Sequence, residues 1–400
     1  MRPSDRTDHS NRRPVVALLV THWDTRTEHG WITRQVAGAL ACGADVHVIT
    51  LDGTSRSTTS DSVFTIHHLA TPIEPSAELG RGLLIASITE SSPGDPVPVT
   101  RALTDLINRD LDAPWHGVAE VLATLSPDRV VIAGHQNVGA MTAVDRYGPD
   151  IPVSLLALAG YGDSLAFPLF ASVFDRAQSI LTVTHMEHES VVSHHRRPGL
   201  VHRIGAPLTA NPSVLTEPDF SVGASDYVLI LTGALRKDGS WETELSDLLR
   251  MRFPDQLMCI SSKDSFCIWD RGYLDEGRPI ERATDMYRLM AWARVTVDLR
   301  PGRLLGRRSV ESLLYGTPIV VPEASAAREH ADLGQAGLWF ANPSELAWCV
   351  EALFEDSVRD RFGTQGRSYA EKEYSSTDLF IGRVLTACGL ASTDSEVRVS

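Results

Sequence analysis

Apolar runs of strand length alternate with amphipathic, helix-length stretches along most of the chain. Val15–Val20 is continuously apolar, the signature of a strand covered on both faces. A helix over Ile32–Ala41 and a strand over Asp45–Leu51 follow. A helix over Pro114–Leu125 tolerates its proline in the first turn. Strands are predicted over Arg129–Ala133, Val153–Ala159, Ser179–Thr184 and Val201–Ile204. The polar, proline-bearing stretch Asn211–Asp226 reads as a linker. The alternation then restarts, with strands at Tyr227–Thr232, Leu257–Ser261, Val295–Leu299 and Pro318–Val321. Between them fall helices at Glu242–Arg250, Thr284–Ala293 and Ser309–Tyr315, and Ser344–Phe354 is the clearest of those that finish the chain. Two such runs predict two α/β domains built on parallel sheets, residues 14–210 and 222–372. Residues 1–13 and 391–400 read as polar tails, and 74–100, rich in Ser, Pro and Gly, as an inserted loop region. Sheets of this kind bind ligands at the carboxyl ends of their strands, so the cleft between the halves is the expected site.

Composition narrows the function classes. Four hundred residues exceed one ordinary core, and 43% hydrophobic with 22% charged residues is a globular mixture. A net charge of −14 argues against a nucleic-acid partner and against an anionic membrane surface. The five cysteines, Cys42, Cys259, Cys267, Cys349 and Cys388, form no C-x-x-C pair. They read as reduced thiols of a cytoplasmic protein. No apolar run approaches a membrane span, and the run at Pro14–Val20 lacks the cleavage site of a signal peptide. His185, His188, His194, His195 and His202 lack the i, i+4 spacing of a helical zinc site, so no metal centre is expected. Elbow, phosphate-loop and G-x-G-x-x-G motifs are absent from the sequence, which leaves a hydrolase, kinase or dehydrogenase unsupported.

The densest chemistry lies between Ser309 and Leu338. A helix carrying Glu311 breaks at Gly316-Thr317-Pro318 and runs into a short strand. Glu311, expected in the first helical turn, can accept two ribose hydroxyls side by side, with the positive helix end keeping it ionised. It can equally stabilise only its own helix. Arg236 and Lys237 follow the strand Tyr227–Thr232, where a loop points to the ligand edge; Arg-Lys-Asp-Gly is also good turn chemistry. Arg303, Arg307 and Arg308 form a second basic group, of which Arg307 and Arg308 are expected to be exposed and idle. His135 follows the strand Arg129–Ala133 and can donate to a sugar hydroxyl or simply sit satisfied in the fold. Gly30 is expected in the loop between first strand and first helix, where backbone can approach a diphosphate or an acceptor. Trp23 and Trp31 flank it and either stack on an acceptor ring or pack.

Glu311 with Gly316-Thr317-Pro318 matches the second half of the Glu-x7-Glu signature of retaining glycosyltransferases of the B fold, and the chain resembles glycosyltransferase family 4 in particular. Gly306 matches the glycine of the family's Gly-Phe-Gly turn, Glu329 its Pro-Glu, and Gly337-Leu338 its Thr-Gly-Leu. The helix ending Tyr287–Ala291, the strand Val295–Leu299 and the turn at Thr232-Gly233 also match, so the resemblance covers most of the chain. It implies two Rossmann-like domains facing across a cleft, with a helix over 373–390 packing back on the N-terminal domain. It also implies transfer, with retention, from a nucleoside-diphosphate sugar to a small-molecule or glycan acceptor, without a metal. Glu311 would hold the ribose, Arg236 and Lys237 the diphosphate, and His135 the sugar. Gly30, Gly306, Arg303, Ser309, Thr317 and Glu329 would complete the donor site.

The departures point elsewhere. Arg303 stands where the family has its first glutamate, Ser325-Ala326 where it has Gly-Gly, and His29 where it has the partner of Gly30. An acidic, uronic-type donor would suit Arg303. A catalytically silent binding or partner protein, or coupling of a non-sugar nucleotide-activated unit, would also account for a rewritten sugar pocket. High Arg, Ala and Asp content hints at a bacterium of high GC content.

Overall fold

The computed structural model describes residues 12–20, 23, 27–53, 56–60, 62–70, 117–134, 138–158, 171–211, 227–232, 241–261, 265–270, 273–274, 278–279, 283–300 and 304–390. The chain divides into two compact units. One comprises Met1–Val183, Glu187–Ile204 and Asp378–Ser400; the other comprises Thr184–Met186 and Gly205–Thr377. Both are α/β.

The first unit carries an eight-stranded sheet: β1 (Val15–Val20), β2 (Asp45–Gly53), β3 (Ser57–Ser60), β4 (Thr65–Ala70), β5 (Arg129–Ala133), β6 (Val153–Leu156), β7 (Ser179–Thr182) and β8 (Val201–Arg203). Their order is β3-β4-β2-β1-β5-β6-β7-β8, and only the edge pair β3–β4 is antiparallel. β1, β6 and β7 are buried at every position, as strands covered on both faces must be. Helix Glu28–Ala41 starts four residues before the expected Ile32, because Thr27 caps it: its hydroxyl accepts the Gly30 N–H at 3.0 Å. Residues 117–125 are helical, and helix Val138–Tyr147 packs near β5. The core gathers Leu19, Ile49, Leu122, Ile132, Leu155 and Ile180 among others. Helix Thr377–Ala387 closes the described chain and groups with this unit from Asp378 on.

The second unit is built on β9 (Tyr227–Leu231), β10 (Met258–Ser261), β11 (Ser265–Asp270), β12 (Tyr273–Leu274), β13 (Arg278–Pro279), β14 (Ala293–Asp298), β15 (Ile319–Pro322) and β16 (Gly337–Phe340). The order is β12-β11-β10-β9-β14-β15-β16, with β13 paired to β11. β10, β9, β14, β15 and β16 run parallel, while β11 pairs antiparallel with β10, β12 and β13. Helices Trp241–Arg252 and Pro343–Ala352 join one core with Val228, Ile230, Val295 and Val320. Helix Ala283–Trp292 joins another with Leu229, Leu231 and Tyr315. Gly337 is required where it stands, since a Cβ there would lie 1.9 Å from the Ile319 carbonyl oxygen. Among the described residues no helix is long and apolar enough to cross a membrane.

Candidate functional site

In each sheet the strand order reverses at one place, between β1 and β5 in the first and between β9 and β14 in the second. Ligands of open α/β sheets bind beside such a switch, at the carboxyl ends of the strands. His135, Arg236, Lys237 and Arg303 lie outside the described residues.

At the end of β14 stands Asp298, almost fully buried. Its carboxylate accepts the Arg300 backbone N–H at 3.2 Å, Arg300 Nε at 2.8 Å and Nη2 at 2.6 Å, and the Ser309 hydroxyl at 2.9 Å. A two-pronged pair of this kind fixes the guanidinium plane as well as its charge. Leu305 is held through its carbonyl by Nε2–H of the fully buried His330 at 2.6 Å, so Nδ1 of that ring accepts from the Tyr369 hydroxyl at 3.3 Å. Gly306 then turns left-handed, with φ +65°, and a Cβ on it would lie 2.6 Å from that of Ala327. Only glycine fits both demands.

From Gly306 the helix Arg307–Leu314 begins, two residues before the expected start. Glu311 therefore sits in the second turn, not the first, and the helix-end amides do not neutralise it. Two side chains from its own helix do. Arg307 Nε donates to one oxygen at 2.7 Å and Arg308 Nη1 to the other at 2.8 Å. Glu311 is 3% exposed, and the arginine side chains are 26% and 27% exposed. Arg307 and Arg308 are thus half-buried partners of Glu311, a correction to the expectation that they are exposed and idle. Two cations in the first turn of a helix oppose its dipole, so they are not there to stabilise the helix.

The remaining expected residues divide. Ser309 is buried, its hydroxyl committed to Asp298, and the buried Thr317 donates to the Met290 carbonyl at 2.8 Å. These hydroxyls hold the second unit together, where ligand contacts were expected. Glu329, also buried, accepts the backbone N–H groups of His185 at 3.0 Å and Met186 at 2.7 Å. Gly30 lies in the first turn of helix Glu28–Ala41, not in the loop before it, because Thr27 draws its amide into the cap. Trp31 is buried and Trp23 meets Phe64 edge-on at 5.6 Å, so both tryptophans pack. Cys349 and Cys388 are buried; burial pushes the Cys349 thiol up to about 11, which makes it unreactive. Asp298, Arg300 and His330 were not singled out from the sequence. A charge inside the predicted strand Val295–Leu299 was the available signal for Asp298. His330 carried none.

No family model matches the sequence, and neither does any curated protein. Solved structures do match in fold. Sucrose-phosphate synthase from Thermosynechococcus elongatus is 13% identical, with 95% of this chain and 100% of that one covered at a TM-score of 0.62. The Anabaena protein HepE, solved with UDP and glucose, is 11% identical at 94% and 100% coverage and a TM-score of 0.60. The α,α-trehalose 6-phosphate synthase from Burkholderia multivorans is 10% identical at 94% and 98% coverage and a TM-score of 0.62. The chain has the two-unit α/β fold of the B-type glycosyltransferases.

Proposed function

We propose that this chain transfers a glycosyl group, with retention, from a nucleoside-diphosphate sugar to a small-molecule or glycan acceptor. The observation that carries the reading is the helix Arg307–Leu314. It starts at the ligand edge of a switch-point strand, places two arginines in its first turn, and buries Glu311 directly behind them. Helix-end amides and arginines together favour an anion such as a diphosphate. Glu311 has two of its roughly four lone-pair sites occupied by arginine, which leaves two for ribose hydroxyls. Because the carboxylate is buried, a ribose reaching it displaces at least one guanidinium.

In this reading Arg236 and Lys237 stabilise the charge that builds on the departing diphosphate, and His135 contacts the sugar. Gly306 lets the start of the helix pass close to Ala327, and Arg303 replaces an acid next to the sugar. Ser309, Thr317 and Glu329 set the geometry from behind. The leaving phosphate steers the acceptor hydroxyl to the same face, so no enzymic nucleophile is named. HepE was solved with UDP and glucose, which supports a nucleotide donor. A second reading, a silent glycosyltransferase-like binding protein, is favoured by one observation: both oxygens of Glu311 already have partners. Incubation with a panel of sugar nucleotides separates the two. Release of free nucleoside diphosphate on addition of an acceptor supports transfer. Binding without release across the panel supports the silent protein.

A further inference from the structure

The carboxyl ends of β15 and β16 frame a cavity of about 400 Å³. Its volume is that of a small-molecule site. Leu245, Pro322 and Phe340 give it apolar walls, and Glu244, Glu323, Ser325 and Asn342, whose amide is committed to Glu345, its polar groups. None of Asp298, Arg300, Arg307, Arg308 and Glu311 lines it.

The polar groups define what fits. Glu323 pairs with Arg328 at 3.1 Å, but the same guanidinium also holds Asp332 at 3.2 Å. It is pinned over the Trp339 ring, 4.2 Å from the centroid. One cation therefore answers two carboxylates, which leaves net negative charge among the described residues of this edge. Glu244 adds to it, with no ion pair among the described residues. Ser325 is buried. Its Oγ accepts the Ala327 N–H at 3.2 Å, and no described residue accepts its hydroxyl proton. A phosphate or carboxylate is repelled here. An ammonium is attracted, a ring is accommodated by the apolar walls, and a ring oxygen can accept from Ser325.

We infer that this cavity binds a small protonated amine carried on a hydroxylated ring. The ammonium lies between Glu244 and Glu323, and the ring rests against Phe340 and Pro322.

Calorimetric titration of the full chain with glucosamine and with glucose, at neutral pH and low salt, tests this. The expected result is glucosamine binding about tenfold tighter than glucose or better, with Glu244→Gln removing that preference. Glu244 is exposed, so the variant keeps the fold. Ser325→Ala weakens both sugars and leaves their ratio unchanged. Equal binding of the two sugars, no binding of either, or a preference that survives Glu244→Gln overturns the inference. UDP titrated into the same samples reads the donor site separately, so a failure at one site is told apart from a failure at the other.

Discussion

Among the described residues the first unit buries hydroxyls such as Ser154, Ser179 and Thr182 and one carboxylate, Glu187, whereas the interior of the second holds three carboxylates, Asp298, Glu311 and Glu329. The hydroxyls answer one another and nearby backbone: Ser179 donates to Ser154 at 2.8 Å, and Arg129 donates to Ser154 at 3.2 Å. The carboxylates take arginines and backbone amides, two of them around the start of one helix. Burying a carboxylate costs far more than burying a hydroxyl unless its partners are fixed. The first unit meets that cost once, at Glu187, which accepts the Val183 N–H, and the second meets it three times. The proposed donor site rests on that concentration.

The contrast can be broken by matched substitutions. Asp298→Ala leaves Arg300 and Ser309 without their acceptor and is expected to cost about 3 kcal/mol in urea unfolding. Its counterpart Ser154→Ala is expected to cost about 1 kcal/mol. Equal costs would dissolve the distinction between the units. Gly306→Ala meets both the left-handed φ and the contact with Ala327, and is expected to cost about 2 kcal/mol, read by the same unfolding curves.

Acid sharpens the contrast from the other side. Burial lowers the pKa of His47, His67, His195 and His202, all in the first unit. The unfolded chain then binds protons before the folded one. The contribution of these imidazoles is intact above the ordinary value of 6.5 and is lost as pH falls below it toward their lowered folded values. Proteolysis with mass-spectrometric mapping, run between pH 7.5 and pH 5 (roughly the histidine range), should find the first unit opening before the second. The smallest effect is expected at Arg367, whose pair with Glu371 is half-exposed on both sides. Arg367→Ala should change stability by at most about 0.5 kcal/mol, which separates surface pairs from the buried ones.

Much of the plan was legible in the sequence. β1, β9 and the last four positions of β5 are continuous apolar runs, and burial on both faces is what makes them so. β3 reads Ser-Thr-Thr-Ser and is exposed throughout, so no hydrophobic period announces it. In β4 two adjacent histidines break the apolar run. β16 is four residues long, too short for a pattern. The site was legible in position and less so in wiring. The spacing of Arg307 and Arg308 from Glu311, four and three residues, places all three on one helix face and was there to be read. The start of that helix was not, because it depends on the contact of Gly306 with Ala327, 21 residues on in the chain. That two-residue shift moved Glu311 out of the first turn and exchanged its partner from helix amides to arginines.

The most direct test is thermal stabilisation of the chain and of Glu311→Gln by the diphosphates of uridine, guanosine, thymidine and adenosine. The variant keeps the shape of the side chain and removes its charge. The account predicts that one diphosphate raises the midpoint of the parent chain more than the other three, and that Glu311→Gln abolishes that preference. No stabilisation by any of the four, or the same preference in the variant, would contradict it.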